Sequence, residues 1–381
     1  MLATIAAIAA LIGLVQSLAG WCALRHFRRQ TLPPAQPRPP ITVLKPLHGA
    51  EPLLEEALAS LCALAAATGS VQIVCGIQRP DDPARHVVAR LQSRFPALDL
   101  SLVTDPTEHG ANRKVANLIN MLPAAKHDLL VIADSDVHVL PAYLDAIAST
   151  LARPGTGLAT LLYAGRPATS TAAALLGTAW INHIFLPGAL LARALGRQDC
   201  LGATMALTRQ TLAAIGGLET LCDEIADDQW LGRRVAQTGQ SVRLAPTIVA
   251  TTIPEISIRQ LWRHELRWAR TIRAIEPAAF ALSALQHPLA WAILALALSA
   301  TPAFVTFFIA TWATRALASR LIDAELSLVH ETLATRVPIW LLPFRDLLSM
   351  TVLLAAHCGR RVEWRGQILQ TAPSTPGIPK R

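Results

Sequence analysis

Charged residues are scarce in this sequence of 381 residues, at 16% of the chain, while hydrophobic residues make up 52%. In ordinary soluble domains roughly a quarter of all residues are charged, so this composition favours a membrane protein. Aromatic residues are also few, at 5%, and they offer no platform on which nucleic-acid bases could stack. The net charge of +8 is therefore better explained by basic residues beside membrane segments, and we expect no nucleic-acid partner.

Paired cysteines are missing as well. The six cysteines form no CxxC motif, which argues against a zinc site and against a disulfide framework. Unpaired cysteines suit a reducing compartment. They are Cys22, Cys62, Cys75, Cys200, Cys222 and Cys358.

Charge is absent from Leu2 to Leu24, a run long enough for one membrane-spanning helix of about 20 residues. Basic residues follow this run, whereas a cleaved signal peptide carries its positive charge ahead of the apolar core. We therefore predict a transmembrane anchor over residues 1–29 and a Pro-rich spacer over residues 30–40. Because basic loops stay on the cytoplasmic side, we expect Met1 to lie outside and the chain that follows the anchor to lie in the cytoplasm.

Two further apolar segments lie near the C-terminus. Residues 276–320 predict a transmembrane helical hairpin, because the uncharged stretch is long enough for two crossings. Residues 336–358 carry Arg345 and Asp346 near the middle, where a charge costs at least about 2.5 kcal/mol in a bilayer. A crossing and a re-entrant or interfacial helix both remain open for this segment. The basic tail over 359–381 favours a cytoplasmic end and hence the re-entrant form.

Between these segments, residues 41–275 alternate short apolar strands with helical patterns. Such alternation predicts an α/β fold with a mainly parallel sheet, helices on both faces and a ligand crevice at the carboxyl ends of the strands. The predicted strands are 41–45, 71–77, 98–103 and 129–134, and the predicted helices are 53–61, 84–91 and 114–122.

Acidic pairs follow two of these strands and open a later helix. Asp134 and Asp136 come at the end of the strand LLVIA, where they could cap the next helix or hold a hard divalent cation on a diphosphate. Asp82 lies in a Pro-flanked segment that also reads as a simple turn. Asp227 and Asp228 open a helical stretch, where acids also interact favourably with the helix dipole.

A basic stretch, RHELRWAR, begins at Arg263. Its spacing places His264, Arg267 and Trp268 on or near one helical face. The same pattern is typical of an amphipathic helix that lies on lipid headgroups, and one helix could serve both purposes.

The ordered set of motifs resembles the membrane-bound, family-2-like glycosyltransferases of the GT-A fold. The closer resemblance is to the ceramide glucosyltransferase group and to its bacterial relative, the hopanoid-biosynthesis glycosyltransferase. It covers roughly residues 40–275 and the membrane segments at both ends. The matching pieces are VLKPLHG at 43–49, DDPA at 81–84, NRKVANL at 112–118, ADSD at 133–136, IADDQW at 225–230 and HELRW at 264–268.

This resemblance implies roles for individual residues. Asp228 would be the general base, and Asp134 with Asp136 would hold a divalent cation, Mg²⁺ or Mn²⁺. The acceptor pocket would include Cys200, which matches a family position. The apolar stretch 171–195 reads by itself either as an ordinary core helix or as a path from the bilayer to the active site, with His183 near the acceptor headgroup. The family usually has Gln or Arg where this chain has His264, and some relatives keep only the first acid of ADSD. The nucleotide sugar would contact Asp82, Lys114, Asp134, His264, Arg267 and Trp268.

The implied reaction is inverting transfer of a sugar from a UDP-sugar to a hydroxyl of a membrane lipid. The RHELRWARTIR stretch, the DSD acids and the Ala/Arg-rich composition favour UDP-N-acetylglucosamine and a hopanoid polyol; UDP-glucose and ceramide are the alternative. A processive polysaccharide synthase and a non-catalytic membrane binding protein are the other open classes. The small number of apolar segments argues against the first, and the intact acidic sites argue against the second.

Overall fold

The computed structural model of the protein describes residues 1–30, 38–359, 361–364 and 367–370. Most of the predicted spacer and of the predicted basic tail lies outside the described residues. The strands are β1 Ile41–Pro46, β2 Val71–Ile77, β3 Asp99–Thr104, β4 Leu129–Ala133, β5 Val137–His138, β6 Thr156–Pro167, β7 Thr204–Thr208, β8 Ser241–Ile253, β9 Arg361–Trp364 and β10 Gln367–Gln370. The helices are α1 Leu2–Arg28, α2 Leu54–Thr68, α3 Ala84–Arg94, α4 Arg113–Met121, α5 Tyr143–Leu151, α6 Ala172–Trp180, α7 Leu186–Ala194, α8 Arg209–Ala214, α9 Asp227–Gln237, α10 Ile258–Ile275, α11 Pro277–Leu282, α12 Pro288–Leu298, α13 Pro302–Val329 and α14 Leu342–Ala356.

Within the described residues, one eight-stranded sheet runs in the order β3-β2-β1-β4-β7-β6-β8-β5. The pairs β3–β2, β2–β1, β1–β4 and β6–β8 are parallel, while β4–β7, β7–β6 and β8–β5 are antiparallel. The predicted α/β class with a mainly parallel sheet is therefore confirmed, although the second half of the sheet is mixed. Because β1 and β4 are adjacent and parallel, their carboxyl ends open onto the same edge.

Alternation along β1 explains why helices cover both faces of the sheet. Val43 and Leu44 are both fully buried, yet they belong to different hydrophobic clusters. Successive side chains of a strand point to opposite faces, so Val43 packs with residues of α2, α3 and α5, and Leu44 packs with residues of α4, α8 and α9. Both faces of the strand are therefore apolar, as in other buried parallel sheets.

The strands β6, β7 and β8 are not predicted from the sequence pattern. Pro246 lies in the middle of β8, and a proline lacks the N–H that a central strand needs for its ladder. The structure accommodates it at an irregularity, where the register between β6 and β8 shifts between Thr160 and Leu162. An irregular strand of this kind has no clear period of two, and this explains why the pattern misses it.

Three helical segments in the described part of the chain are long and apolar enough to cross a membrane: Leu2–Arg28, Ala172–Ala194 and Ile339–Ala356. A fourth candidate is the pair Pro277–Gln286 and Pro288–Leu298, which is bent by 68° at its break. Helix α13 begins after a further break at 299–301. The predicted N-terminal anchor and the predicted segment 336–358 thus coincide with candidate spans. Of the predicted hairpin over 276–320, only the first part, the bent pair, does so.

Helix α1 packs tightly against the other membrane helices, and two glycines permit this close approach. A Cβ at Gly13 would lie 2.5 Å from the carbonyl oxygen of Leu285, and one at Gly20 would collide with Pro187. Farther along the helix, Leu24 and Phe27 enter a buried cluster that includes side chains of β6 and β8. The membrane helices and the sheet therefore share a hydrophobic core, which fixes the α/β domain against the membrane segment.

The charges of helix α14 are buried inside the protein. Arg345 and Asp346 are both 0% exposed. The Arg345 guanidinium donates two hydrogen bonds to the carboxylate of Glu265 on α10, each of 2.7 Å, and another to the carbonyl oxygen of Leu176 on α6. The carboxylate of Asp346 accepts from the backbone N–H of Leu289 at 3.0 Å. Helix α14 is therefore bound to α10, the helix that carries the HELRW motif.

This buried ion pair generates a prediction for stability. Removing one partner leaves an uncompensated buried charge, which typically costs about 3–5 kcal/mol. We expect Arg345→Met to lower the apparent Tm strongly in detergent, and the double variant Arg345→Met/Glu265→Leu to recover part of the loss. Arg90→Met, which removes an exposed partner of Glu55, is the control and should leave the Tm nearly unchanged. Equal Tm values for the two single variants would contradict the pairing.

Candidate active site

A polar cleft of about 420 Å³ opens at the carboxyl ends of β1 and β4. It is lined by residues from β1, from the loop after β4, from the N-termini of α4 and α9, and from one face of α10. Its acidic lining residues include Glu51, Asp134, Asp136, Asp227 and Asp228. Predicted site residues that are up to 154 residues apart in the chain, from Lys114 to Trp268, thus line one cavity.

Asp134 and Asp136 lie in the short loop between β4 and β5. The hydroxyl of Thr251, on β8, donates to Oδ2 of Asp136 at 2.6 Å. Burial and the neighbouring charge of Asp134 together raise the pKa of Asp136. The two neighbouring carboxylates disfavour each other's charge, and a cation bound beside them would relieve this repulsion.

Lys45 stabilises this acidic loop by hydrogen bonds to its backbone. The sequence pattern does not reveal this role. Its side chain is fully buried, and its Nζ donates to the carbonyl oxygens of Asp134 at 2.6 Å and of Val137 at 3.3 Å. Burial lowers the pKa of Lys45, and the charge of Asp136 partly opposes this effect. A lysine in a predicted strand is an unusual core residue, and that was the available signal.

Lys114 connects two of the acidic groups. Its Nζ lies 2.8 Å from Oδ1 of Asp134 and 3.2 Å from Oδ2 of Asp227. Burial disfavours the charge on this lysine, but the attraction of Asp134 and Asp227 outweighs burial and raises its pKa. Asn112 caps α4 by accepting from the N–H groups of Lys114 and Val115, and so fixes the start of the helix.

Asp227 and Asp228 begin helix α9, where the dipole favours negative charge. Asp227 is 8% exposed and paired with Lys114, whereas Asp228 is half-buried and lines the cleft. Burial and the charge of Asp227 raise the pKa of Asp228 to about 7, against the opposing influence of Lys114. A Cβ at Gly202 would lie 2.9 Å from Oδ2 of Asp228, so the glycine leaves space in front of this carboxylate.

Helix α10 presents His264, Arg267 and Trp268 to the cleft. The Nδ1 of His264 is hydrogen-bonded to the buried carboxylate of Glu255, while the edge of its ring contacts Trp268 at 4.4 Å between centroids. This partner fixes the orientation of the imidazole. The spacing of the HELRW motif therefore places His264, Arg267 and Trp268 at one cavity.

A row of aromatic side chains forms a wall of the cleft. Trp268 is 5.3 Å from Trp180, which is 5.8 Å from Phe185, which in turn stacks on Tyr163 at 4.6 Å. Burial raises the pKa of Tyr163 well above its usual value, so its hydroxyl stays neutral. The sequence pattern does not single out Trp180, Phe185 or Tyr163. The only sequence signal was the presence of scattered aromatics in a protein that has few.

An apolar cavity of about 320 Å³ lies on the other side of this wall. The two cavities share Trp180, Phe185 and Ile272 among their lining residues. Side chains from α6, α7, α10, α11 and α14 line the apolar cavity, and these include helices of the candidate membrane spans. A polar cleft and an apolar cavity between membrane helices therefore adjoin each other.

Two predicted site residues lie away from the cleft lining. The carboxylate of Asp82 accepts from the backbone N–H groups of Gly49 and Ala84, so it stabilises the loop after β1. His183 is 3% exposed, and its Nε2 lies 2.6 Å from the carboxylate of Asp323 on α13. Cys200 does line the cleft; it is 1% exposed, and burial raises the pKa of its thiol.

The acidic loop fits a hard divalent cation, with part of the coordination supplied by a ligand. Carboxylate oxygens are the preferred protein ligands of Mg²⁺, which commonly uses one or two carboxylates together with water and phosphate oxygens. Asp134 and Asp136 provide two carboxylates to the cleft, and Asp134 is also paired with Lys114. Within the described residues, no group of three or more His, Cys, Asp or Glu side chains could hold a metal by itself. A cation here would therefore bind together with the diphosphate of a ligand.

Known proteins resemble the chain in sequence and in structure. The ceramide glucosyltransferase of Candida albicans is 27% identical over 107 residues, 26% of this chain and 20% of that enzyme. The ceramide glucosyltransferase of Komagataella phaffii is 29% identical over 133 residues, 34% of this chain and 26% of that enzyme. The chain thus spans about a fifth to a quarter of the length of these curated relatives.

Among solved structures, the mannosyltransferase PcManGT from Pyrobaculum calidifontis, in complex with GDP-Man and Mn²⁺, is 18% identical. It aligns over 94% of this chain and 98% of its own, with a TM-score of 0.48. The model of glycosyl transferase family 21 matches residues 1–375. Because this match covers nearly the whole sequence, the chain belongs to glycosyl transferase family 21, and the predicted transferase class is confirmed.

Proposed function

We propose that the chain transfers a sugar from a UDP-sugar to a hydroxyl group of a membrane lipid, with inversion at the anomeric carbon. The observation that carries this proposal is the junction of an acidic cleft with an apolar cavity between candidate membrane helices. A sugar nucleotide needs the first environment and a lipid needs the second. The similarity to ceramide glucosyltransferases supports a lipid as the acceptor.

The donor's diphosphate would bind between the acidic loop and helix α10. Negative charge grows on the leaving diphosphate as the anomeric bond breaks, so groups that offset this charge stabilise the transition state. A divalent cation held by Asp134 and Asp136 would supply part of that stabilisation. Lys114 and Arg267, which line the same cleft, are cations that the chain itself provides. His264 and Trp268 would close the site beside Arg267.

Asp228 would act as the general base. The acceptor hydroxyl is a weak nucleophile, and a carboxylate within hydrogen-bond distance takes up its proton as the oxygen attacks the anomeric carbon. The products are the glycolipid and UDP, and the proton resides on Asp228 after the step. A base with a pKa near 7 is well matched to this task at neutral pH. One-step attack from the face opposite to the diphosphate gives the inverted product.

The acceptor's apolar body would lie in the apolar cavity and its hydroxyl would pass the aromatic wall at Trp180 and Phe185 to reach Asp228. We propose a hopanoid polyol as the acceptor and UDP-N-acetylglucosamine as the donor, supported by the DSD acids and the RHELRWARTIR stretch. Ceramide with UDP-glucose is the second candidate, favoured by the similar curated proteins. The basic residues at the end of α1 favour an inner-membrane protein with its cleft in the cytoplasm.

The pKa of Asp228 predicts the pH dependence of transfer. The pKa of its carboxyl is raised to about 7. The carboxylate therefore takes up a proton as the pH falls through 7, and it can then no longer accept the hydroxyl proton. We expect kcat/KM to fall tenfold per pH unit below about pH 7. Asp81→Asn, at an exposed carboxylate outside the cleft, should leave the profile unchanged. A rate that stays constant down to pH 5 would contradict the assignment.

The acceptor cavity generates a second prediction. Ala189→Trp would fill part of the apolar cavity, whereas Ala194→Trp places the same side chain at an exposed position of the same helix, outside the lining. We expect the first variant to lose at least about tenfold in transfer to lipid, with its Kd for UDP unchanged, because the two ligands occupy different cavities. The second should behave as wild type. Equal activity of both variants would place the acceptor elsewhere.

The substrates are identified by mass spectrometry of polar lipids from cells that express the wild-type chain or Asp228→Asn. We expect a hexosylated or N-acetylhexosaminylated lipid only with the wild type, because loss of a general base costs about 100-fold or more. The mass of the lipid distinguishes a hopanoid from a ceramide. Long glucan or chitin-like chains instead of a glycolipid would favour a polysaccharide synthase, and identical lipid profiles would contradict the proposed function.

A further inference from the structure

Lys114 occupies the centre of the acidic cleft. Lys114 is 9% exposed. Its ammonium lies between the carboxylates of Asp134, which follows β4, and Asp227, which begins α9. The lysine thus links Asp134, which is proposed to hold the cation, to Asp227, the neighbour of the proposed base Asp228. One positive charge of the chain therefore already balances the carboxylate that a metal ion would use.

A divalent cation and this ammonium compete for the same carboxylate. Lys114 lies 2.8 Å from Oδ1 of Asp134, whereas Mg²⁺ binds carboxylate oxygens at about 2.0–2.1 Å. A cation at Asp134 would therefore lie within a few ångströms of the ammonium, where like charges repel strongly in a partly buried site. The diphosphate of a sugar nucleotide would reverse this balance, because it brings negative charge to both cations.

We propose that Lys114 is a tethered cation that weakens the binding of a free metal ion to the cleft until a nucleoside diphosphate arrives with it. On arrival of the diphosphate, the ammonium exchanges Asp134 for a phosphate oxygen and keeps Asp227. This inference rests on the donor site of the proposed function. It adds an order to donor binding: the metal and the diphosphate enter together, and neither occupies the site well alone.

The local geometry suits such an exchange. A lysine carries three donor hydrogens on a flexible stem, so it can keep one carboxylate while it changes its other partner. Asn112 fixes the start of α4, and it also donates to the carbonyl oxygen of Glu224 in the loop before Asp227. The backbone around Lys114 and Asp227 is therefore held in place, and only the end of the lysine side chain has to move.

Binding of Mn²⁺ measured by electron paramagnetic resonance tests this inference on the full chain in detergent, without acceptor or turnover. For the wild type, we expect UDP to tighten Mn²⁺ binding by at least about tenfold. Lys114→Met should bind Mn²⁺ alone at least about tenfold more tightly than the wild type, and UDP should add less. Lys114→Arg, which keeps the charge, should bind Mn²⁺ alone as weakly as the wild type.

Lys126→Met is the matched control, because this lysine is exposed and pairs with Asp99 outside the cleft. It should bind Mn²⁺ as the wild type does. Tight Mn²⁺ binding by the wild type in the absence of UDP would overturn the inference without any variant, and so would equal affinities of the wild type and a folded Lys114→Met. If Mn²⁺ fails to bind even with UDP, the metal-dependent donor site of the proposed function is wrong as well.

Discussion

The structure depends on the concentration of negative charge at one edge of the sheet. Asp134, Asp136, Asp227 and Asp228 line a single cleft, and burial together with their mutual repulsion raises the pKa of Asp136 and of Asp228. Such a cluster is costly for a folded protein unless cations offset it. Lys114 provides part of this compensation from within the cleft. The excess of negative charge that remains in the cleft would suit a divalent cation that arrives with a diphosphate. The raised pKa of Asp228 would suit its proposed role as a base near pH 7.

The proposed transfer to a lipid adds a second constraint, namely that this charged cleft adjoins an apolar cavity. Helix α10 satisfies both requirements, because one face carries Arg267 and Trp268 into the cleft while the other carries Glu265 to the buried Arg345 of α14. Helix α1 packs its Leu24 and Phe27 into the core around β6 and β8 and so joins the candidate membrane helices to the sheet. Helix α10, which lines the cleft, is thus held by α14, a candidate membrane span.

The sequence predicts the parts of this arrangement that depend on local patterns. The alternation of strands and helices predicts the first half of the sheet, and the position of Asp134 after a buried strand predicts the edge at which it lies. The i, i+3, i+4 spacing correctly places Arg267 and Trp268 on one helical face. The family resemblance names the acidic residues that meet in the cleft, although Asp82 stabilises a neighbouring loop in the structure and does not line the cavity.

The remaining features depend on contacts between distant segments, which leave no local pattern. The partners Glu265 and Arg345 are 80 residues apart, and Lys45 is 89 residues from the carbonyl oxygen of Asp134 that it binds. The aromatic wall likewise joins Tyr163, Trp180 and Trp268 through tertiary packing alone. The sequence pattern does not predict strand β8, because Pro246 lies within it and a proline normally argues against a central strand.

A cryo-electron microscopy structure of Asp228→Asn in lipid nanodiscs, with an intact UDP-sugar and Mn²⁺, tests the central claim most directly. The account predicts that the diphosphate lies between Asp134 and Arg267, and that the tail of a lipid fills the apolar cavity with its hydroxyl beside residue 228. A diphosphate bound outside this cleft, or a lipid hydroxyl remote from residue 228, would contradict it.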